Sequence, residues 1–454
     1  MHAARLGSRH VIRRLILLGL SGAVLLALTL AGLAHALGSA AAYPLVVRLL
    51  CVSALVYLVT VWFVLRWVEP KGAIWLVLLV AVALRLPLLL APPALSSDVY
   101  RYVWDGRVQA AGINPYRYVP DDPALASLRD AAVFPHINRA DYAPTIYPPA
   151  AQLVFGLVGR VWPAVTGMKL AMLAFEALAI GCLWRMLALA GLPRSRLLIY
   201  AWNPLPAWAF AGNGHVDAMV VGLVALALLP RVGRPGWWAD GWAGLALGLA
   251  FATKFLPAVV APALWRRGGG WRLALVAMAS VLGLYALYIG VGWRVFGFLA
   301  GYGREEGLDS GTGFWVLSVL ASFGPLPSFA PLAYMLVLAV SLAALGYWVA
   351  FIRRPDDPVS VARCAGALMA VLTFGISPHY PWYFAWLAVP SVLAPSPAML
   401  WLSTAPVLIY LAGYGDSLLW PSVLYVPALV LGLLSVRVPR NGARWLPTQP
   451  INGA

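Results

Sequence analysis

A short polar segment carries residue types that can do chemistry in an otherwise apolar chain. Residues 96–106 read SSDVYRYVWDG. On an α-helix these positions bring Asp98, Arg101, Tyr102 and Asp105 to one face, because residues three, four and seven apart are neighbours there. The face would present two carboxylates, a guanidinium and a phenol side by side. Such a cluster can accept a proton and hold the hydroxyls of a polar substrate.

The composition predicts that most of the chain lies in a membrane. Of 454 residues, 62% are hydrophobic and only 11% are charged, which excludes a water-soluble domain of this length. Arg13 and Arg14 precede about 20 apolar residues that lead into further apolar runs, so we expect a retained first helix. Cys51, Cys182 and Cys364 have neither pairing nor ligand spacing.

The net charge of +16 is distributed as in a membrane protein, and we predict no nucleic-acid partner. Positive residues concentrate in short connections, which predicts cytoplasmic loops. These connections are 5–14, 66–71, 194–196, 231–234, 266–272, 353–363 and 437–444. Carboxylates concentrate in the 94–147 loop and at Asp217, Glu305, Glu306, Asp309 and Asp416. We expect that second group to face the periplasm or exterior.

With both termini cytoplasmic, the chain predicts an all-α, polytopic membrane protein of about 13 spans. We predict a single integral domain over 1–454, with a polar outer loop and its juxtamembrane helices at 94–163. The expected spans are 11–34, 44–66, 72–92, 168–190, 197–212, 214–230, a short hairpin of 237–252 and 254–265, 271–292, 330–352, 359–376, 382–394, 398–413 and 418–436. Residues 148–163 would reach only about 24 Å as a helix, so they predict an interfacial or re-entrant segment.

This topology gathers separate polar motifs on one side of the membrane. They are the Asp98 to Asp105 face, Asn114-Pro115-Tyr116 with Tyr147-Pro148-Pro149, residues 213–217 (NGHVD), residues 252–255 (ATKF) and residues 377–383 (SPHYPWY). The order and loop placement of these motifs resemble the GT-C superfamily of polyprenyl-phosphate-sugar-dependent glycosyltransferases. Within it they resemble glycosyltransferase family 87 and the bacterial α-(1→6)-mannopyranosyltransferases. The resemblance covers most of residues 72–390.

The resemblance implies a GT-C-like helical bundle that moves a hexose from a polyprenyl-phosphate donor to a glycan or glycolipid acceptor, with inversion. Mannose is favoured by the resemblance alone. Asp98 is the candidate general base, since a carboxylate in a water-poor cavity can take the acceptor proton; its alternative role is to cap the helix that follows. Asp105 would bind acceptor or sugar hydroxyls or pair with Arg101 or Arg107. The loop head has one carboxylate where these enzymes often have two, so we predict neither a divalent metal nor another cofactor.

The leaving phosphate calls for cations at the membrane boundary. Lys254, with no carboxylate nearby in sequence, would contact it or extend to the interface. His215 and Asp217 would orient the donor or form a plain polar turn. His379 and Tyr380 would stack on sugar or line the lipid groove; an aromatic belt is the alternative for Tyr380.

The remaining predicted substrate-binding residues are Arg101, Tyr102, Asn114, Tyr147, Asn213 and Arg304. Arg304 lies in a loop expected to cover the cavity and to reach the donor phosphate. Glu176 falls inside a predicted span, where a hydrogen-bonded packing role is favoured over a functional one.

Two other function classes remain open on the sequence. A lipid-linked-sugar transporter or flippase would also group charges in a membrane, but no internal repeat links the two halves of the chain. A lipid-glycan ligase or polymerase would keep the fold and change the reaction. Membrane lipids are expected partners in every case.

Overall fold

The computed structural model describes residues 2–38, 43–67, 69–70, 72–233, 236–411 and 418–437. All regular secondary structure in these ranges is helical. Lys71, Arg234, Asp416 and the C-terminal residues beyond 437 lie outside the described residues, so the predictions that fall on them stay predictions.

The first six α-helices are α1 (His2–Gly38), α2 (Tyr43–Arg66), α3 (Ala73–Leu90), α4 (Asp98–Ala110), α5 (Pro149–Val161) and α6 (Val165–Leu189). The later α-helices are Leu198–Ala201, Pro204–Pro206, Asp217–Val232, Trp237–Phe251, Ala261–Leu264, Gly270–Ala286, Leu299–Glu305, Trp315–Ala321, Ala330–Tyr347, Pro358–Ile376, Ala388–Leu393, Pro397–Leu402 and Leu419–Arg437. Tighter 3₁₀ turns cover Pro123–Leu128, Phe134–His136, Arg194–Leu197, Leu256–Val260, Ile289–Phe296, Pro381–Leu387 and Ala405–Leu411, and π turns cover Ala207–Gly212 and Trp348–Arg353.

Six helices in the described residues are long and apolar enough to cross a membrane, or up to seven if one bent pair is a single span. The protein is therefore a polytopic helical membrane protein, as the composition predicted. The count of about 13 is not confirmed.

The expected spans between 197 and 265 are built from helices of 16 residues or fewer. Proline is one physical reason: Asn203 caps a new helix at Leu205 N–H, and Pro204 cannot continue the preceding backbone ladder. The span expected at 271–292 ends at Ala286, and the chain then bends by 111° into Ile289–Glu305.

Helix α4 lies against α5 at a pair of glycines. A Cβ on Gly106 would lie 2.3 Å from the carbonyl oxygen of Phe155, and one on Gly159 would lie 2.1 Å from the carbonyl oxygen of Gly106. Only glycine allows this separation, so these two residues fix where α4 sits. At 13 residues, α5 is too short to span the bilayer, in agreement with the sequence.

The start of α4 is held by one amide side chain. Asn213 Oδ1 accepts hydrogen bonds from the backbone N–H groups of Ala94, Leu95 and Ser96, and its Nδ2 donates to the carbonyl of Trp208. Asn213 is fully buried. The loop entering α4 is therefore fixed by a residue more than a hundred positions later in the chain.

Helix α3 ends beside the start of α6. The buried Lys169 of α6 donates to the carbonyl oxygens of Leu88 and Ala91, at 2.6 and 2.7 Å, where the helix has no intrahelical donors. We call this end of the bundle, with the start of α4, the site face. The end where α3 begins and α6 finishes is the opposite face.

Candidate active site

Asp98 is the first residue of α4, and its carboxylate points away from the helix backbone. Oδ1 accepts a hydrogen bond from Asn138 Nδ2 at 3.1 Å, and Oδ2 lies 3.7 Å from His215 Nδ1. The preceding Ser97 occupies the capping position, and no side chain caps the helix. The capping role considered for Asp98 is therefore wrong in this structure. The side chain is 23% exposed, so a substrate can reach it.

The surroundings of Asp98 make it a better proton acceptor. Burial raises the pKa of its carboxyl above the usual range, against the hydrogen bond from Asn138 and the positive charges of Lys254 and Arg139. A carboxylate with a raised pKa takes a hydroxyl proton more readily than a solvated one does.

His215 lies beside Asp98 with no exposed surface, stacked on Trp382 with the ring centroids 3.7 Å apart. Within the described residues neither ring nitrogen has a hydrogen-bond partner. Burial and the positive charge of Lys254 keep the pKa of His215 well below its usual value, so the ring is neutral. Two buried nitrogens without hydrogen-bond partners are costly, which makes His215 a candidate functional residue.

Lys254 completes the cluster. Its Nζ donates to Asp217 Oδ1 at 2.7 Å and lies 3.2 Å from the ring centroid of Tyr383. Burial opposes its charge, but the carboxylate of Asp217 outweighs burial and raises the pKa of Lys254. The sequence did not predict this carboxylate partner, and it paired Asp217 with His215 instead. Beyond Lys254, the hydroxyl of Tyr383 is 3.0 Å from that of Tyr302.

A second cation comes from the 94–147 loop. Arg139 Nε donates to Glu305 Oε2 at 2.6 Å, and Tyr142 donates to the other oxygen of Glu305 at 2.7 Å. The charge of Arg139 acts on Asp98. Arg304, predicted to reach a donor phosphate, is exposed at the end of its helix. Arg139, which the sequence did not single out, is the arginine whose charge acts on Asp98, and the predicted contact of Arg304 with a phosphate stays a prediction.

The late motif also reaches the site. His379 Nδ1 lies 3.2 Å from Glu306 Oε2, while the ring of Tyr380 stacks on Trp382 with centroids 5.0 Å apart. Trp382 is the residue on which His215 stacks. His379 and Tyr380 thus lie near the candidate base, as predicted, although their contacts with substrate stay predictions.

Asp105, at the other end of α4, belongs to a different environment. Oδ1 accepts from Arg101 Nε at 2.9 Å, and Oδ2 accepts from Thr145 Oγ1 and from Gln152 Nε2. Arg101 also donates to the carbonyl of Ala143. Both residues are buried, so their predicted role in substrate binding is not what this structure shows. The alternative pairing of Asp105 with Arg101 is the one present.

The polar network continues from Asp105 to Gln109, one turn later in α4. Gln109 Nε2 donates to Gln152 Oε1, and Tyr288 donates to Gln109 Oε1 at 2.9 Å. Tyr102, also on α4, stacks on Phe155 with the ring centroids 4.8 Å apart. It is 1% exposed, so it packs here and does not present its ring to a ligand.

Three other predicted binding residues make local contacts. Asn114 Oδ1 accepts from the N–H of Tyr116, and the Tyr116 hydroxyl donates to the carbonyl of Tyr147. Asn213 has both ends of its amide engaged by the backbone. These residues shape the loop around Asp98, which corrects the expectation that the amide of Asn213 is open to a ligand.

Glu176 has the packing role that the sequence favoured. It forms a two-point ion pair with Arg85, at 2.8 and 2.6 Å, and accepts from Tyr200. In the described part of the chain, no three His, Cys, Asp or Glu side chains are grouped so that they could hold a metal ion.

Sequence reasoning missed Asn138 and Arg139. Both lie in the 94–147 loop, which the sequence analysis identified as polar. The feature that could have indicated them is an amide next to a guanidinium in the sequence. Without a fold, nothing distinguished them from the other polar residues of the same loop.

The fold and site define a helical membrane protein with an acid–base and cation cluster at one end of its bundle. The family described as α-(1→6)-mannopyranosyltransferase, N-terminal domain, matches residues 15–266, more than half of the chain. The chain belongs to this family.

A relative from Mycobacterium tuberculosis (strain ATCC 25618 / H37Rv), α-(1→6)-mannopyranosyltransferase A, is 28% identical over 341 residues. The match covers 68% of this chain and 63% of the relative, so the chain spans under two thirds of that protein's length. No solved structure matches the chain.

Proposed function

We propose that this chain is a membrane mannosyltransferase that moves mannose from a polyprenyl-phosphate donor to a hydroxyl of a glycan or glycolipid acceptor. The observation that carries the proposal is the approach of Asp98, His215 and the Lys254–Asp217 pair from three distant parts of the sequence. Family membership and the name of the mycobacterial relative favour the sugar and the reaction class.

In the proposed reaction, Asp98 Oδ2 removes the proton of the acceptor hydroxyl. The hydroxyl oxygen forms a bond to C1 of mannose while the bond from C1 to the phosphate oxygen breaks, and the phosphate leaves with the bonding electrons. Attack opposite to the leaving group inverts the configuration at C1. The positive charges of Lys254 and Arg139 would stabilise the leaving phosphate.

His215 fits as the group that orients the acceptor. Oδ2 of Asp98 and Nδ1 of His215 are 3.7 Å apart, and Nδ1 is buried, so an acceptor oxygen would come within about 2.8 Å of both atoms only if neighbouring side chains move as it binds. A neutral imidazole with a protonated Nδ1 would donate to that oxygen while the oxygen donates to Asp98. The hydroxyl would then be held with a lone pair free to attack.

We also propose that the site face lies outside the cytoplasmic membrane of a bacterium and that both termini are cytoplasmic. The arginine-rich connections support this orientation, since Arg194, Arg231, Arg266 and Arg353 lie at the opposite face of the bundle, where positive loops are retained.

One experiment tests these proposals together. Sealed right-side-out vesicles carrying the protein would be supplied with radiolabelled polyprenyl-phosphate mannose and an impermeant mannoside acceptor outside. We expect labelled disaccharide from the wild type and at least a hundredfold less from Asp98→Asn, because general base catalysis contributes about 10² to 10⁴. Ser127→Ala, an exposed change in the same loop, is the matched control.

Transfer within threefold of wild type in Asp98→Asn would show that Asp98 is not the base. Product formed only in inverted vesicles would overturn the orientation. Movement of labelled lipid across the bilayer without a new glycosidic bond would instead identify a flippase.

A further inference from the structure

A second cluster of cations and aromatic rings lies on the opposite face, where two parallel helices begin side by side. Trp237–Phe251 and Gly270–Ala286 pack closely because a Cβ on Gly244 would lie 2.5 Å from the carbonyl oxygen of Leu273. A Cβ on Gly248 would likewise meet the carbonyl of Ala277 at 2.7 Å. This small-residue packing brings the two N-termini together at the membrane boundary.

Arg272 sits between the first aromatic residues of the two helices. Its guanidinium carbon is 4.0 Å from the ring centroid of Trp237 and 5.2 Å from that of Trp271, and the two rings are 6.2 Å apart. Its Nε is buried and has no hydrogen-bond partner within the described residues. Trp237 and Trp271 are 57% and 52% exposed, so the cluster is open on its outer side.

The nearby carboxylate does not neutralise Arg272. Asp240 lies 3.6 Å from Arg266 Nη1, and Arg266 Nη2 donates to the carbonyl oxygens of Pro230 and Arg231 at 2.8 Å. The guanidinium of Arg266 is thus bound by two backbone carbonyls and lies beside Asp240. Within the described residues, no carboxylate forms an ion pair with Arg272, so its positive charge is available to an anion.

The apolar rim of the cluster indicates a lipid and not a free ion. Exposed apolar side chains continue from Trp271 along the same face of its helix at Leu275, Met278 and Leu282, which are 59%, 59% and 61% exposed. The neighbouring helix Trp237–Phe251 has 15 residues and is about 22 Å long, shorter than the roughly 30 Å hydrocarbon core, so lipid headgroups are expected to approach its first turn. Exposed tryptophans at that depth contact headgroups and the upper part of the acyl chains.

We propose that Arg272, Trp237 and Trp271 form a binding site for an anionic glycerophospholipid, with the lipid phosphate on Arg272 and the acyl chains along Leu275 and Met278. The site is separate from the candidate active site, because the two helices run between them. It does not depend on the proposed transfer reaction.

The test uses the full-length protein purified in detergent and titrated with phosphatidylglycerol or phosphatidylcholine, with bound lipids counted by native mass spectrometry. We expect wild type to bind phosphatidylglycerol more tightly. Arg272→Gln should weaken that binding by about fivefold, the effect of one cation at a lipid surface. Arg194→Gln is the matched control, since Arg194 also lies over a tryptophan, Trp184, on the same face.

Equal binding of the two lipids by wild type would overturn the proposal, and so would unchanged binding in Arg272→Gln. Displacement of phosphatidylglycerol by millimolar inorganic phosphate would show a simple anion site and also overturn it. If Arg272→Gln does not fold, Arg272→Lys serves instead and should retain the preference for phosphatidylglycerol, because the charge is kept.

Discussion

The two carboxylates of α4 are seven residues apart and have opposite surroundings. Asp105 is buried, and both of its oxygens accept hydrogen bonds from side chains of the protein. Asp98 is partly exposed, and among the residues that the structure describes its Oδ2 has no close donor and the facing His215 has no hydrogen-bond partner for either ring nitrogen. One short helix therefore contains a carboxylate whose hydrogen bonds stabilise the fold and another whose second oxygen could bind a ligand.

This difference separates structural from functional polar groups without any bound ligand. A polar network that is fully satisfied rigidifies the protein, whereas buried groups left unpaired cost stability and persist where function requires them. On this criterion Asp98, His215 and the cations near them are the residues of the proposed site. Arg101, Asp105 and Gln152 belong to its support.

The largest expected effect on folding comes from the satisfied carboxylate. Asp105→Asn would leave the buried guanidinium of Arg101 without its charge partner, which costs about 3 kcal/mol or more. We expect a much lower midpoint of thermal unfolding in detergent. Asp98→Asn should unfold at the same temperature as wild type or higher, because it removes a desolvated charge.

A double replacement sharpens this comparison. Arg101→Leu combined with Asp105→Leu removes both charges, and its loss of stability should be smaller than the sum of the two single losses. If Asp105→Asn proved as stable as wild type, the division of α4 into a structural and a functional end would fail.

A smaller effect is expected at His215. His215→Phe keeps a ring on Trp382 and removes two unpaired nitrogens, so folding should be unaffected or improved. Transfer should fall by about 10- to 100-fold, the value of one or two hydrogen bonds to a reacting group. The two measurements are the thermal midpoint and the initial transfer rate.

His215→Gln is the second variant, in case the larger ring does not fit, and should recover part of the rate. A large loss of stability in both variants, with normal transfer in the folded fraction, would make His215 a packing residue.

The smallest effect concerns pH. If Asp98 is the proposed base, transfer requires its deprotonated form, so the rate should fall as the pH drops through the pKa of this carboxyl, which burial raises above the usual range. Asn138→Ala removes a hydrogen bond that favours the charged form, so the acidic limb should move to higher pH. The pH–rate profile measures the shift, and Ser127→Ala should leave the limb in place.

An acidic limb that did not move in Asn138→Ala would mean that another group controls the pH dependence. The expected shift is small, because the net contribution of one hydrogen bond is about 1 kcal/mol.

The sequence predicted the local features of the site well. The helix that carries Asp98 and Asp105 begins where the polar segment suggested, and the motifs around His215, Lys254 and His379 meet on one face of the bundle. These predictions succeeded because the spacing of residues on a helix and the sign of charge in each loop depend only on residues close together in the sequence.

Partnerships between distant residues were not predictable in the same way. Asp217 and Lys254 are 37 positions apart, and Arg139 meets Glu305 across 166 positions. The spacing of these residues in the sequence does not indicate that they pair, because tertiary packing determines which distant residues come into contact. The predicted number of spans is not confirmed for a related reason: apolar runs between 197 and 265 resemble membrane segments in the sequence, but prolines and turns divide them into short helices.

The three N–H groups gathered on Asn213 have a consequence for genetics. A single carbonyl oxygen sets the position of the chain just before the proposed base. A mutation of Asn213 would therefore be expected to reduce activity by moving Asp98, although within the described residues the Asn213 amide bonds only to backbone groups of the protein. A survey restricted to residues in contact with substrate would overlook it.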